Sequence, residues 1–276
     1  MHRSGSLTIT SSAQWVDYFQ SNAQRQREIP WQLGAGASLE ELAEITPSLR
    51  GWQLGETSDG KHLLAAAGNY AIKVGDPGFV DAVRLFIAEE QRHGESLGRF
   101  LDLAHVARAK SDWGDALFRA ARYCLPSMEV WVTPVVMVET HAMIYYNAIR
   151  RATKSVVLRG LCEQILADEV AHIRFQCERL AILHRRRSSW LRTLTMATHR
   201  IMFAAITMAI WCGHRRALRA GGYNFARFWR CAWAKMRFAW RIMAPKAYCW
   251  TTNRASDRVP GNRTRATACI HPNGRV

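Results

Sequence analysis

The apolar residues of this chain recur mainly at steps of three and four, and no segment alternates convincingly between apolar and polar positions. The pattern predicts an all-α protein. Thr46-Pro47 and Asp76-Pro77 each place a capping side chain before a proline, which is typical of a helix start. We expect four long helices, A to D, over about residues 46–74, 77–104, 127–151 and 155–185.

The connections between these helices indicate how they pack. They are short between A and B, long between B and C, with a short helix near 112–123, and short again between C and D. This order of loop lengths is typical of a four-helix bundle with one long central crossover. We therefore predict such a bundle over 47–185. A helical lead-in over 1–46 is expected before it, with one helix at 12–26 and a second opened by a capping box at Ser38.

The last third of the chain has a different charge balance from the rest. Residues 1–180 contain 19 Lys/Arg and 21 Asp/Glu, whereas residues 181–276 contain 19 Lys/Arg and a single acid. The difference predicts a second part with its own role. We place a basic helical extension at 186–245, with two helices rich in Arg and Trp over about 189–219 and 223–244.

Three interpretations of this extension stay open. Its tryptophans pack on the bundle while its arginines face solvent, or it lies on a membrane surface, or its interleaved Arg and Trp bind nucleic acid. Its long apolar faces favour a membrane or another acidic surface over nucleic acid. Residues 246–276 lack periodicity and have few apolar side chains, so we predict a disordered tail there.

The cysteines and the N-terminal segment bear on the cellular compartment. The seven cysteines form no CxxC pair, which argues against a zinc ribbon or a disulfide scaffold. The first residues lack the apolar core of a signal peptide. The longest apolar run, 201–213, is too short to span a bilayer. We predict a cytoplasmic protein, with attachment to the inner face of a membrane as an additional option.

Polar residues interrupt the apolar faces of two predicted helices at the same spacing. In the stretch "ADEVAHIRFQ" of helix D, Glu169 and His172 share a face with leucine and isoleucine. In helix B, Glu90 and His93 do the same. A buried charge costs several kcal/mol unless it is paired or binds a metal. The repeated Glu-x-x-His spacing therefore predicts a buried site.

Helices A and C each add one acid to this picture. Glu139 lies on the apolar face of helix C, and Glu56 lies on that of helix A. Asp59 is an alternative to Glu56, because it would lie closer in level to Glu90. Two single glutamates and two Glu-x-x-His pairs are a set that binds two iron or manganese ions in bundle cores. The predicted metal ligands are Glu56, Glu90, His93, Glu139, Glu169 and His172.

Other polar residues near these positions are given structural roles. Glu89 is expected on the solvated side of helix B, and His141 is expected to be a packed or surface histidine. Tyr145 and Tyr146 are interpreted as core aromatics.

The motifs "ETSD" (56–59), "EEQRH" (89–93), "VETH" (138–141) and "DEVAH" (168–172) resemble those of the ferritin-like superfamily of di-iron carboxylate proteins. The resemblance covers about residues 47–185. It implies a ferritin-like bundle that binds two iron ions, with manganese as an alternative at one or both positions. It also implies that Asp168 hydrogen-bonds a ligand histidine. Asp59 is kept as a second residue of this kind, an outer residue that supports the ligands without binding metal.

The resemblance implies a function as well. We expect an enzyme, a di-iron oxidoreductase that uses O2 and an electron-donor protein to oxidise an unknown, hydrophobic small molecule. One alternative is a ferroxidase that handles iron without an organic substrate. Another is a metal-free protein that binds acidic surfaces through 186–245. A homodimer is a further expectation.

Overall fold

The computed structural model describes residues 7–111 and 127–250. It is all-α: these residues form eight α-helices, two short 3-10 turns and two strands of two residues each. The helices are α1 (Ser12–Gln24), α2 (Leu39–Glu56), α3 (Lys61–Val74), α4 (Gly78–Leu103), α5 (Met128–Ala152), α6 (Val156–His184), α7 (Ser189–Ala220) and α8 (Phe225–Ile242).

Helices α4, α5 and α6 confirm the predicted helices B, C and D to within one or two residues. The starts of α5 and α6 are capped by side chains, since Ser127 accepts a hydrogen bond from the Val130 N–H and Ser155 accepts one from the Leu158 N–H. The start of α4 lies where it was predicted, but no side chain caps it, so the cap expected from Asp76 is wrong. Short connections lead into α4 and α6, and a long one joins α4 to α5. The short helix expected near 112–123 lies outside the described residues.

The prediction of a single helix A is wrong. Helix α2 begins after Ser38, continues through Pro47 and ends at Glu56, and α3 starts only at Lys61. Thr46 is not a cap, because its hydroxyl donates to Leu42 O inside the helix at 2.7 Å.

The break between α2 and α3 is fixed by close packing. Gly60 has φ +64, and a Cβ there would lie 2.5 Å from Ile87 Cδ1 of α4. Only glycine accommodates both the positive φ and this contact. Glu56 is therefore the last residue of a helix and does not lie in the middle of one.

One hydrophobic core is shared by all the described helices, with α1 packed over α4. Helix α1 contributes buried Trp15 and Phe19, whose rings pack against Phe175 with centroids 5.2 and 5.5 Å away. Phe19 also contacts Phe86 of α4, at 6.3 Å. The N-terminal helix thus closes one side of the bundle.

Helices α7 and α8 confirm the two helices predicted in the basic extension. They pack on α5, and α7 also contacts α2 while α8 contacts α6. Among the described helices, α7 alone has the length and composition to cross a membrane, with a mean hydropathy of 1.2 over its most apolar 18-residue window. The expectation that this segment is too short to span a bilayer rested on the apolar run 201–213, but the whole helix is long and apolar enough to do so.

Two short strands tie distant parts of the chain together. Leu7–Thr8 pairs in parallel with Tyr248–Cys249, and the Tyr248 side chain is buried. The prediction of a disordered tail from residue 246 is therefore wrong for residues 246–250, which are ordered against the bundle. Residues 251–276 lie outside the described part of the chain.

Candidate metal centre

Six acidic and imidazole side chains from four helices meet in the core. Glu56 ends α2, Glu90 and His93 lie on α4, Glu139 lies on α5, and Glu169 and His172 lie on α6. All are buried except Glu90, whose side chain is 20% exposed. These are the six residues proposed as ligands from the sequence.

The six residues form two overlapping groups. One consists of Glu56, Glu90, His93 and Glu169, and the other consists of Glu90, Glu139, Glu169 and His172. Within each group the candidate ligand atoms lie within 4.8 Å of one another. Glu90 and Glu169 belong to both groups. We refer to Glu56 and His93 as the Glu56 half of the cluster, and to Glu139 and His172 as the Glu139 half.

Six side-chain nitrogen and oxygen atoms of the cluster are buried without a hydrogen-bond partner among the described residues. They are Glu90 Oε1, His93 Nδ1, Glu139 Oε2, Glu169 Oε2 and both ring nitrogens of His172. His172 Nδ1 lies 2.7 Å from Glu90 Oε1, but the two groups are not aligned as a hydrogen bond. Buried polar atoms are normally paired, so a concentration of unpaired lone pairs facing one another fits a bound cation.

Burial and mutual repulsion disfavour charge on three of the four carboxyl groups of the cluster. Burial by itself would raise the pKa of the fourth, Glu90, but the nearby His172 lowers this pKa to about 2. Burial and the nearby Glu90 raise the pKa of Glu56 well above its usual range, and burial and Glu169 do the same for Glu139. Burial followed by Glu90 also raises the pKa of Glu169. Divalent cations would remove this repulsion, and a set of oxygens with one imidazole nitrogen per group suits iron or manganese.

Asp168 orients the histidine of the Glu56 half. His93 Nε2 lies 2.9 Å from Asp168 Oδ2, which leaves His93 Nδ1 facing the cluster. Burial alone would raise the pKa of Asp168, but the hydrogen bonds from His93 and Gln164 hold it below its usual range. A carboxylate in this position fixes the ring and its tautomer. The contact agrees with the outer role that the resemblance implied for Asp168.

Glu89 occupies the matching position beside the other histidine, and the prediction that it faces solvent is wrong. Its side chain is fully buried, and Glu89 Oε1 lies 3.5 Å from His172 Nε2. Asn22 of α1 donates to both outer acids, at 2.6 Å to Glu89 and 2.8 Å to Asp168. Each acid precedes the Glu-x-x-His pair of its own helix and contacts the histidine of the other helix.

The terminal glutamates of the two halves have different partners. Tyr146 donates to Glu56 Oε1 at 2.6 Å, and Gln176 Nε2 donates to Glu139 Oε1. Tyr145 does not reach the cluster by a hydrogen bond, and stacks on Trp52 at 4.5 Å between ring centroids. Both tyrosines are buried in the core as expected, but Tyr146 also touches the cluster.

Asp59 does not belong to the cluster, and Glu56 is the acid that this segment of the chain contributes to it. It lies in the break after Glu56, its side chain is 58% exposed, and it pairs with Lys61 at 3.2 Å. Its Oδ1 also accepts from the Lys61 N–H at the start of α3. Asp59 therefore stabilises a helix start outside the cluster, and this removes it both as the alternative ligand and as an outer residue.

The close approach of Glu56 to His93 depends on a glycine. A Cβ on Gly94 would lie 2.6 Å from Thr57 Cγ2 and 3.1 Å from the carbonyl carbon of Glu56. A residue with a side chain would push the end of α2 away from α4. The Gly after His93 thus helps to set the position of Glu56.

His141 follows Glu139 by two residues but points away from the cluster. It is fully buried, with Nδ1 2.7 Å from Met137 O and Nε2 3.0 Å from Thr207 Oγ1. Because a carbonyl can only accept, the neutral ring carries its proton on Nδ1. His141 is a packed histidine, as predicted.

The fold and the site together define an all-α protein with a buried glutamate–histidine cluster that could hold metal, compatible with a di-iron site. Comparisons with protein-family models, with curated proteins and with solved structures gave no match.

Proposed function

We propose that this chain is a di-iron carboxylate protein with a ferritin-like bundle, and that it oxidises an apolar substrate with O2. The observation that carries the proposal is the pair of overlapping ligand groups, which share Glu90 and Glu169. Shared carboxylates between two terminal Glu and His sets are the arrangement that holds two ions in carboxylate bundles. Manganese suits the same donors and is tested in parallel.

In this proposal each residue has a defined task. Glu56 and His93 hold one ion, Glu139 and His172 hold the other, and the two shared glutamates lie between them. The ions, when bound, supply the reduction of O2, for which the substrate and an electron-donor protein provide the electrons.

The residues around the ligands keep them oriented and limit access of water. Asp168 holds the His93 ring through a 2.9 Å contact, and Glu89 lies 3.5 Å from the His172 ring. The Tyr146 hydroxyl is positioned to exchange a proton with Glu56 Oε1. Phe86 packs edge-on against the His172 ring with centroids 4.8 Å apart, so that one side of the cluster is apolar.

A pocket beside the Glu139 half indicates the substrate class. It is a narrow apolar cleft between α3, α4, α5 and α6. Phe86 and Gln176, which contact His172 and Glu139, form its wall nearest the cluster. The rest of its lining is mainly aliphatic and aromatic, so the cleft presents an apolar surface next to the proposed metal positions.

Arg179 gives this pocket one charged wall. Its guanidinium lies 3.7 Å from the centroid of the Phe79 ring and donates to the Tyr70 hydroxyl at 2.9 Å. Its Nε is buried without a partner among the described residues. An apolar molecule that ends in an anionic group, such as a fatty carboxylate, would match both the apolar lining of the pocket and the guanidinium of Arg179.

The first experiment counts metal. The protein is loaded anaerobically with Fe(II), and separately with Mn(II), then desalted, and the ions per chain are measured. We expect about two ions in the parent and a clear loss in Glu90→Ala and Glu169→Ala. Glu163→Ala, at a partly exposed glutamate of α6 paired with Arg27, is the matched control and should retain both ions. Failure of the parent to retain either metal would overturn the proposal.

The second experiment separates an oxidase from an iron-handling protein. The iron-loaded protein is mixed with O2, a chemical reductant and a long-chain fatty acid, and O2 consumption and modified lipid are followed. Continued turnover that requires the fatty acid, and that is lost in Val135→Phe at the pocket wall, supports the proposal. Val130→Phe, on the same helix outside the pocket lining, is the control. Consumption of O2 that does not depend on the fatty acid and leaves the lipid unmodified would indicate a ferroxidase instead.

A further inference from the structure

Helix α8 turns a row of arginines to the solvent. Its buried face includes Phe228, Ala232 and Met236, which pack into the core. The exposed arginines on its other face recur at three-, four- and seven-residue steps, and therefore lie along one line of the helix. They are Arg227, Arg230, Arg237 and Arg241.

Helix α7, which contacts α8, exposes an apolar stripe. Trp190, Leu194, Ile201 and Met208 are all exposed, and Ile201 is 74% exposed. Steps of four and seven residues place them on one face. Monomeric soluble proteins rarely expose long apolar stripes, so this stripe indicates a surface that binds another molecule or a membrane.

The apolar stripe ends in a cluster of positive charge. The last two turns of α7 expose Arg215, Arg216 and Arg219. Arg216 pairs with Glu44 of α2 at 3.0 Å. Residues 189–242, from the start of α7 to the end of α8, contain ten Lys/Arg and no Asp/Glu.

The opposite face of α7 is buried in the protein core. Phe203, Thr207 and Trp211 are buried, and Thr207 Oγ1 lies 3.0 Å from His141 Nε2 of α5. The ring of Phe203 contacts that of Trp233 of α8 at 5.4 Å. A helix anchored in this way along one side presents only its outer face, although its length and composition would suffice to cross a bilayer.

We propose that the outer face of the α7–α8 pair docks on an anionic lipid surface. The apolar stripe of α7 enters the boundary between headgroups and acyl chains, and the arginines of α8 and of the α7 end bind lipid phosphates. The helices lie along the membrane plane and do not cross it, because the inner face of α7 stays packed on α5 and α8.

Charge and apolarity together select this partner over two others. A nucleic acid would satisfy the arginines but offers no apolar layer for Trp190, Leu194 and Ile201. A second copy of this chain would bring two arginine rows together, because the face has no acids to complement them. A lipid bilayer with anionic headgroups satisfies both features. The inference does not depend on metal in the cluster.

The test measures sedimentation of the full chain with vesicles at low salt. We expect binding to vesicles of phosphatidylcholine and phosphatidylglycerol in equal parts, and little binding to phosphatidylcholine alone. The triple variant Arg227→Gln, Arg230→Gln, Arg237→Gln should bind roughly tenfold or more weakly, because each arginine loses its attraction to the surface. The matched control is the triple variant Lys61→Gln, Arg84→Gln, Arg159→Gln, which changes the net charge equally on other exposed helices.

A second variant tests the apolar stripe. Trp190→Ser with Leu194→Ser and Ile201→Ser should weaken vesicle binding roughly tenfold, because the inserted apolar area is lost. Ile72→Ser on α3, at a residue that is 85% exposed, should leave binding unchanged. All these side chains are exposed, so helix content by circular dichroism should match the parent and verify the fold.

Three results would overturn the inference. The first is no difference between anionic and neutral vesicles. The second is binding to a DNA duplex that exceeds vesicle binding and is insensitive to the α7 variant. The third is a parent dimer in sedimentation that the Ile201→Ser change converts to a monomer, since the stripe would then be covered by a second copy.

Discussion

The two halves of the cluster are built from the same residue types but have different surroundings. The Glu56 half is enclosed by polar contacts, with Tyr146 on Glu56 and Asp168 at 2.9 Å from His93. The Glu139 half borders the apolar pocket, and its histidine lies at the longer distance of 3.5 Å from Glu89.

Under the proposed function, this difference suits the two halves to different tasks. A position surrounded by hydrogen-bond donors and acceptors is suited to proton movement and to firm ligand geometry. A position beside Phe86 and a pocket is suited to contact with an apolar substrate. The halves therefore share two glutamates but are expected to respond differently to mutation.

The largest effect is expected from removal of the terminal glutamates one at a time. Glu56→Ala and Glu139→Ala should each bind about one ion per chain, whereas loss of a shared glutamate removes both. Only Glu139→Ala should also alter the response to a fatty-acid probe. Metal analysis and probe-induced changes in the absorption spectrum check this. Equal loss of both ions in every variant would show that the halves are not separable.

Substitution of the outer acids should produce the next largest effect. Asp168→Ala is expected to weaken metal binding roughly 10- to 100-fold, since the ring of His93 loses its anchor. Glu89→Ala should weaken metal binding less than Asp168→Ala does, because the contact of Glu89 with His172 is longer, at 3.5 Å. Competition with a metal-sensitive dye gives both affinities, and Glu95→Ala, at an exposed glutamate of the same helix, is the control. A larger loss in Glu89→Ala would reverse the proposed order.

Gly94 tests the packing of the Glu56 half. Gly94→Ala would bring a Cβ against Thr57 and the end of α2, so we expect a loss of about 1–3 kcal/mol in the free energy of unfolding. The ion of the Glu56 half should be lost first. Gly98→Ala, one turn later, meets only the flexible end of Arg108 and serves as the control. Urea denaturation and metal analysis measure the two effects, and equal losses in both variants would contradict the packing argument.

The smallest effect concerns a histidine outside both halves. Burial, followed by the nearby His184, lowers the pKa of His199 to about 4. The unfolded chain then binds more protons than the folded chain between about pH 4 and 6.5, so stability falls as the pH drops through this window. The loss is about 2 kcal/mol at pH 5 relative to pH 7.

This acid sensitivity can be separated from that of the cluster. Urea denaturation in the presence of a chelator compares the parent with His199→Phe at pH 7 and pH 5. The parent should lose more stability than the variant between the two pH values. An identical loss in both would show that His199 does not contribute.

The sequence located the six clustered residues because each is a charged or imidazole group on an otherwise apolar helical face. Periodicity detects such positions whenever the helix itself is identified. The starts of helices α4, α5 and α6 are marked in the sequence by Gly75, Pro126 and Ser155 respectively. Their role as metal ligands remains a proposal that the geometry supports.

The remaining features depend on contacts between distant segments. Pro47 looks the same at a helix start and in a helix interior, and only the packing of Gly60 against Ile87 reveals the true break. Glu89 was misassigned because its burial requires Asn22 of α1, which no local pattern places there. One signal was present, since an acid precedes both Glu-x-x-His pairs, as Glu89 and as Asp168.

The two hydrogen bonds of Asn22 have a kinetic consequence. One amide from the N-terminal helix holds the outer carboxylates of both halves, so local opening of α1 would leave two buried acids without their donor. Release of metal should then follow the opening rate of α1, and the full bundle need not unfold. We expect Asn22→Ala to speed the stripping of both ions by a chelator, in step with faster hydrogen exchange in α1, and unchanged stripping would show that the helix does not control release.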